Sequence, residues 1–163
     1  MAFAYVFMMQ ALISVFINWA SMHVTLNATG EQGQVTTIDK IGAVIFILGF
    51  VMETVADWQL QSFRDNPKRV SGSIITSGLW RYSRHPNYFG EALLWWGLFV
   101  MTCSLPRGFV YFFSPLLITL LLRYVSGVPL LERHFAKNPA FQHYMKETSI
   151  FVPWFPKIVK RSN

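Results

Sequence analysis

The chain alternates long apolar runs with short polar connections, a pattern that predicts helices crossing a lipid bilayer. Such a helix needs about 20 mostly apolar residues, and four stretches come close to this length. They are segment A (residues 3–26), segment B (38–60), segment C (87–103) and segment D (109–125). We therefore predict an all-α fold, a polytopic transmembrane bundle of about four helices with a cytoplasmic C-terminal tail. The whole chain, residues 1–163, is expected to form a single membrane domain.

Composition agrees with a membrane protein rather than with a soluble domain. Hydrophobic residues make up 53% of the chain and charged residues 13%, whereas soluble domains carry about 25% charged residues. The single cysteine, Cys103, excludes an internal disulfide framework and a thiolate metal site. No spacing of His, Asp and Glu resembles a metal site, and neither a P-loop sequence nor GxGxxG after a strand occurs. We therefore expect no metal, no soluble nucleotide-binding fold and no nucleic-acid partner.

Basic residues are distributed unevenly along this chain, whose formal net charge is +6. Twelve of the fourteen lysines and arginines lie between segments B and C, at the end of segment D or in the tail. The other two, Lys40 and Arg107, lie on the opposite side. Because cytoplasmic loops are enriched in Lys and Arg, this distribution predicts a cytoplasmic C-terminus. The membrane would be the endoplasmic reticulum of a eukaryote, or the inner or plasma membrane of a bacterium.

Polar residues recur at helical spacing where segment B ends and where segment C begins. Glu53, Asp57, Gln61 and Arg64 follow at intervals of four, four and three, and Asn87, Glu91 and Trp95 at intervals of four. Each set lies on one helix face, and polar groups within a membrane face a bundle interior or a wet cavity. Two such stripes facing each other would form a polar pocket. Ordinary ion pairing at an interfacial helix end is the alternative interpretation.

A basic rim would surround this pocket. It would consist of Arg64, Arg81, Arg84 and His85. Because guanidinium groups bind phosphates through paired hydrogen bonds, the rim predicts an anionic ligand bound from the cytoplasm. The further partners expected are the lipid bilayer and an apolar small-molecule substrate that arrives through it. The sequence leaves the oligomeric state open.

The stretch Gly78–Glu91 reads GLWRYSRHPNYFGE and resembles the signature of the steroid 5-alpha-reductase C-terminal domain. The resemblance is closest to a little-characterised branch of unknown function. It extends to the spacing Glu53-x3-Asp57-x6-Arg64, to residues 126–132, and to Tyr144 followed nine residues later by Pro153. A wider superfamily shares Arg-His-Pro-x-Tyr-x-Gly. It includes sterol reductases, which use NADPH, and isoprenylcysteine and phospholipid methyltransferases, which use S-adenosylmethionine.

The resemblance implies a membrane-embedded, NADPH-dependent oxidoreductase that reduces a C=C bond of a lipid or steroid-like enone. By analogy, Asn87 and Glu91 hold the nicotinamide and ribose region, and Trp95 lines the nicotinamide end. The implied cofactor-binding residues are Asp57, Arg64, Arg84, His85, Asn87, Tyr88, Glu91, Trp95 and Arg133. No catalytic residue is assigned.

Two alternatives remain beside the reductase. The first is an S-adenosylmethionine-dependent methyltransferase of a lipid or prenylated substrate. Methyltransferases of the superfamily carry adjacent acids in the tail, whereas here Glu132 is followed by Arg133, which favours the reductase. The second is a truncated, non-catalytic membrane subunit. Family members carry further helices before segment A, and we expect this chain to lack them. In steroid reductases an Asn occupies the position of Glu53.

Overall fold

The computed structural model describes residues 14, 15, 18, 19, 22, 25, 26 and 35–158. Segment A, predicted over residues 3–26, therefore lies largely outside the described residues. Within the described part, the regular secondary structure is helical and no strand occurs. One isolated bridge joins Ser83 and Ser149. The prediction of an all-α fold is confirmed for this part of the chain.

Segment B forms helix α1, Thr37–Arg64, with 28 residues. Its first turn is capped reciprocally, because the Thr36 backbone N–H donates to Asp39 Oδ2 over 2.8 Å and the Asp39 backbone N–H donates to Thr36 Oγ1 over 3.2 Å. Such an exchange satisfies backbone donors that a helix start leaves without partners. Arg64 in the last turn places a positive charge at the negative end of the helix dipole.

Segment C forms α2, Pro86–Thr102, and Pro86 occupies the first helical position, where a missing N–H costs no hydrogen bond. Segment D is less regular than predicted. A 3₁₀ turn over Gly108–Phe112 leads into α3, Phe113–Leu120, and a π-helical turn follows over Leu121–Val125.

The predicted tail contains two more helices, α4 (Val128–Phe135) and α5 (Pro139–Glu147). Both carry a proline in the first turn, where it starts a helix rather than breaking one. Asn138 caps α5, and its side chain accepts from the backbone N–H of Ala140 over 2.9 Å. These two helices carry residues of the candidate site described below.

Two helical stretches are long and apolar enough to cross a membrane among the described residues. They are Thr37–Arg64 and Gly108–Phe135, with mean hydropathies of 1.8 and 1.6. Only 17% and 22% of their most apolar windows are buried, unlike the core helix of a soluble protein, which indicates a membrane protein. Helix α2, with 17 residues, is shorter than these stretches. The four spans and the cytoplasmic C-terminus remain predictions.

The described residues divide into two compact units. The first unit comprises the described residues up to Leu48 together with Ala92–Leu120, and the second comprises Gly49–Glu91 together with the described residues from Leu121 onward. In the second unit α1 and α2 approach closely, since a Cβ added to Gly90 would lie 2.6 Å from the backbone nitrogen of Glu53. A small core of Ala56, Ile75 and Trp80 lies in the same unit. The single domain over residues 1–163 remains a prediction.

Candidate functional site

The first residues of the stretch Gly78–Glu91 are attached to α1 by hydrogen bonds in the second unit. The indole Nε1–H of Trp80 donates to the backbone oxygen of Ala56 over 3.0 Å, and Trp80 is 7% exposed. The backbone N–H of Leu79 donates to Gln59 Oε1 over 2.9 Å. Gly78 adopts a φ of +62°, a conformation that glycine reaches without strain. The start of the stretch is therefore held against the last turns of α1.

Residues of the C-terminal tail also form hydrogen bonds with this stretch. The Tyr144 hydroxyl of α5 donates to the backbone oxygens of Trp80 and Ser83. Ser83 Oγ donates to the backbone oxygen of Phe151 over 2.7 Å. Burial raises the pKa of the Tyr144 phenol, so its proton stays in place and remains available to these carbonyls.

A buried ion cluster connects this stretch to α4. One carboxylate oxygen, Glu132 Oε1, lies 3.2 Å from Arg84 Nε and 3.2 Å from His85 Nε2. Arg84 is 9% exposed and His85 is 3% exposed. Burial lowers the pKa of the Arg84 guanidinium, and the Glu132 charge opposes that shift. Arg84 and His85, which the sequence placed in the predicted basic rim, are both buried in the structure, because α4 supplies a carboxylate that faces them.

A hydrogen bond joins the two predicted polar stripes. Asn87 Nδ2 on α2 donates to Asp57 Oδ1 on α1 over 3.0 Å. The other side-chain atom of the amide, Asn87 Oδ1, is buried and has no hydrogen-bond partner among the described residues. Glu53 and Glu91 are half-buried on the same helices, near enough to Asp57 to interact electrostatically. Gln61, another member of the α1 stripe, donates to Asp65.

A cavity of about 110 Å³ lies beside the ion cluster in the second unit. Its walls are mostly apolar and come from α1, α4, α5 and the loop between α1 and α2; they include Leu60, Phe63, Ile75, Trp80, Phe135 and Phe141. Arg64, Arg69, Arg84 and His85 also line it. The guanidinium of Arg69 lies 5.4 Å from the centre of the Phe63 ring. Because Arg64 and Arg69 are exposed, the cavity combines apolar walls with accessible positive charge.

The structure brings some of the predicted site residues together and leaves others apart. Asp57 is hydrogen-bonded to Asn87, and Arg84 and His85 both contact Glu132. The His85 ring stacks on the Tyr88 ring, with 5.6 Å between ring centres. Arg133 is exposed on α4 and does not line the cavity. Trp95 belongs to the first unit, whereas the other predicted residues belong to the second.

Sequence reasoning gave no site role to Glu132, Arg69 or Tyr144, which all contribute to this arrangement. A signal existed for Glu132, because it is an acid in a tail whose other charges are mostly positive, and because it ends the motif at residues 126–132 that forms part of the resemblance. Tyr144 also belongs to the resemblance, through its spacing from Pro153, whereas Arg69 carried no comparable signal, since only folding brings it to the cavity. Among the described residues, no cluster of His, Cys, Asp and Glu could hold a metal ion.

Comparisons with known proteins place these features in context. A family model described as "Protein of unknown function (DUF1295)" matches residues 1–148. The chain is 28% identical over 115 residues to 3-oxo-5-alpha-steroid 4-dehydrogenase 2 of Homo sapiens, covering 71% of this chain and 42% of that protein. It is 30% identical over 94 residues to Delta(14)-sterol reductase of Arabidopsis thaliana, covering 50% of this chain and 24% of that protein. No solved structure matches.

The chain thus spans less than half the length of these curated relatives. The matches nevertheless confirm the resemblance that the stretch Gly78–Glu91 and its companion motifs indicate.

Proposed function

We propose that this chain, which belongs to the family described as "Protein of unknown function (DUF1295)", binds NADPH and acts as a membrane-embedded oxidoreductase. The reaction would be reduction of a C=C bond in a lipid or steroid-like enone. The relatives named above support this proposal, since their names are those of a steroid dehydrogenase and a sterol reductase. The reductase class, the cofactor and the apolar substrate are all part of the proposal.

The observation that carries the proposal is the Asn87–Asp57 pair. Its hydrogen bond uses Asn87 Nδ2 as the donor and leaves the buried Asn87 Oδ1 without a partner. A primary carboxamide such as that of nicotinamide offers N–H donors, which suit an amide oxygen. Glu91, one turn further along α2, is half-buried and offers carboxylate acceptors on the same face. The residues present therefore fit the carboxamide end of the cofactor.

Positive charge at the cavity fits the phosphates of the same cofactor. Arg64 and Arg69 line the cavity and are exposed, so they can reorient toward an anion. Arg84, by contrast, is buried against Glu132 and its charge is already compensated. The anion-binding role predicted for Arg84 as part of the basic rim is thus better suited to Arg64 and Arg69. Guanidinium groups there would favour NADPH over NADH through the additional phosphate.

NADPH would supply the hydride, while the chain's own residues would bind and orient the cofactor and exclude water from it. Asp57 holds the Asn87 amide in one orientation, and the ring of Tyr88 stacks on His85 beside it. Tyr144 is unsuited to donate a proton to substrate, because burial raises its pKa and its hydroxyl already serves two backbone carbonyls.

Cofactor binding by the purified chain in detergent tests the proposal. Titrations followed by NADPH fluorescence and by calorimetry should show binding that is tighter for NADPH than for NADH. Asn87→Ala should weaken it, whereas Asn66→Ala in the exposed loop after α1 should not. Absence of NADPH binding would contradict the proposal. Binding of S-adenosylmethionine in its place would support the methyltransferase, and binding of neither would support a non-catalytic membrane subunit.

A further inference from the structure

We infer that Glu132 is a positioning residue that holds the His85 imidazole so that its Nδ1 accepts a hydrogen bond from the ligand of the cavity. The orienting role of Glu132 stands on the geometry alone. The identity of the ligand rests on the proposed function, under which it is NADPH.

Glu132 makes a hydrogen bond with His85 and an ion pair with Arg84, whose Nε has no hydrogen-bond partner among the described residues. Oε1 of Glu132 lies 3.2 Å from Nε2 of His85 and 3.2 Å from Nε of Arg84, two neighbours in the chain that are both buried. Glu132 itself is partly buried on α4, with 18% of its side chain exposed. Hydrogen bonds to a charged acceptor in such surroundings are stronger than those between neutral groups. Glu132 therefore restrains the ring of His85 as well as compensating the charge of Arg84.

This restraint determines what the second ring nitrogen can do. In a neutral imidazole, one nitrogen donates and the other accepts, and the partner of the first decides the role of the second. Because a carboxylate can only accept, Nε2 of His85 carries the proton and Nδ1 carries the lone pair. Nδ1 is buried and has no hydrogen-bond partner among the described residues. Stacking on Tyr88, with an angle of 6° between the rings, restrains the ring plane further.

The surroundings of His85 indicate the chemistry of the group it would accept from. His85 is 3% exposed and lines the cavity together with aromatic walls and the exposed Arg64 and Arg69. A ligand suited to these features has an apolar or ring-shaped body, one amino or hydroxyl donor, and an anionic group nearby. NADPH meets this description, because its rings and sugars carry amino and hydroxyl groups next to phosphates.

Nuclear magnetic resonance of the full chain with isotope-labelled histidine tests the orienting role without any ligand. The His85 signals are assigned by their loss in His85→Ala, and spectra are recorded at about pH 9 to observe the neutral ring. We expect an Nε2–H proton of His85 that exchanges slowly with water and disappears in Glu132→Ala. The matched control is Glu147→Ala, which removes a carboxylate that also lies 3.2 Å from a histidine, His143, but in an exposed pair. This control should leave the His85 signals unchanged.

A conservative variant keeps the test decisive if Glu132→Ala fails to fold. Glu132→Gln retains an acceptor oxygen without its charge, so the Nε2–H proton should persist but move upfield. An unchanged Nε2–H signal in Glu132→Ala or Glu132→Gln would overturn the inference, as would a wild-type ring that carries its proton on Nδ1.

Addition of NADPH then tests the acceptor role. In the wild-type chain the His85 Nδ1 resonance should shift upfield on binding, and Glu132→Ala should weaken NADPH binding at least about tenfold, the effect of losing a charge-assisted contact. Glu147→Ala should bind as the wild type does. Binding of NADPH with an unshifted Nδ1 overturns the acceptor role. Absence of NADPH binding overturns the proposed function instead, while the ligand-free spectra still decide whether Glu132 orients His85.

Discussion

Asn87 and Asp57 connect the first turn of α2 to α1 through a hydrogen bond of 3.0 Å between Nδ2 and Oδ1. The bond uses a donor of the amide and leaves its buried oxygen without a partner among the described residues. The pair therefore fixes the direction in which the Asn87 oxygen points. Under the proposed function, this oxygen would bind the carboxamide of the cofactor.

Removal of Asp57 should weaken cofactor binding although Asn87 remains. In Asp57→Ala the Asn87 amide loses its partner and can rotate, so we expect NADPH affinity to fall about tenfold. A double-mutant cycle with Asn87→Ala should give a coupling energy of about 0.5–3 kcal/mol, measured by calorimetry. Additive effects of the two substitutions would show that the pair does not act as a unit.

The two exposed arginines of the cavity should determine cofactor preference. We expect Arg64→Gln and Arg69→Gln each to reduce the preference for NADPH over NADH several-fold, because each removes a cation available to a phosphate. The wild-type affinity for NADPH should also fall as salt concentration rises. Arg81→Gln is the matched control, since Arg81 is exposed and does not line the cavity. Equal effects of all three substitutions would argue against a specific role of the cavity.

The hydrogen bond of the Trp80 indole N–H should contribute to stability in addition to the packing of the ring. Trp80→Phe removes the indole donor to the Ala56 carbonyl and creates a small void in the core of the second unit. We expect a loss of about 2–4 kcal/mol in the free energy of unfolding, measured by denaturant titration in detergent. Trp154→Phe serves as the control, because Trp154 is 69% exposed and should change stability little. A loss of similar size in both variants would contradict this assignment.

The Tyr144 phenol should make the chain sensitive to alkaline pH. Its pKa is raised in the folded chain by burial, whereas an unfolded tyrosine ionises at about pH 10. Its contribution is therefore fully present below about pH 10 and is lost as pH rises toward the folded-state pKa, since the unfolded state then binds fewer protons.

Tyr144→Phe should remove that part of the alkaline decline and lower stability at neutral pH by about 1–2 kcal/mol, because two carbonyl oxygens lose their donor. Unfolding measured between about pH 8 and pH 11 checks both effects. Tyr124→Phe, at a position 63% exposed, provides the comparison. An alkaline decline as steep in Tyr144→Phe as in the wild-type chain would refute the assignment.

The hydrophobic pattern alone located α1 and α2 within a few residues. Segment B was predicted over residues 38–60 and the helix covers Thr37–Arg64, and segment C was predicted over 87–103 and the helix covers Pro86–Thr102. The length of an apolar run and its helical periodicity are local properties, so both can be recognised in consecutive residues of the sequence. Helices α4 and α5 were not predicted within the tail, and each has a proline, Pro129 or Pro139, in its first turn.

The sequence by itself determined the helical character of the chain, its apolar stretches, its family and the spacing that places Asp57 and Asn87 on helix faces. Tertiary structure decided which charges meet. Arg84 and His85 belong to the basic rim that the sequence predicts, and the structure buries them beside Glu132, which lies 47 residues from His85 in the chain and 3.2 Å from it in the fold. The physical reason is that burying a charge depends on its partner, and that partner is chosen by the packing of α4 rather than by neighbours in sequence.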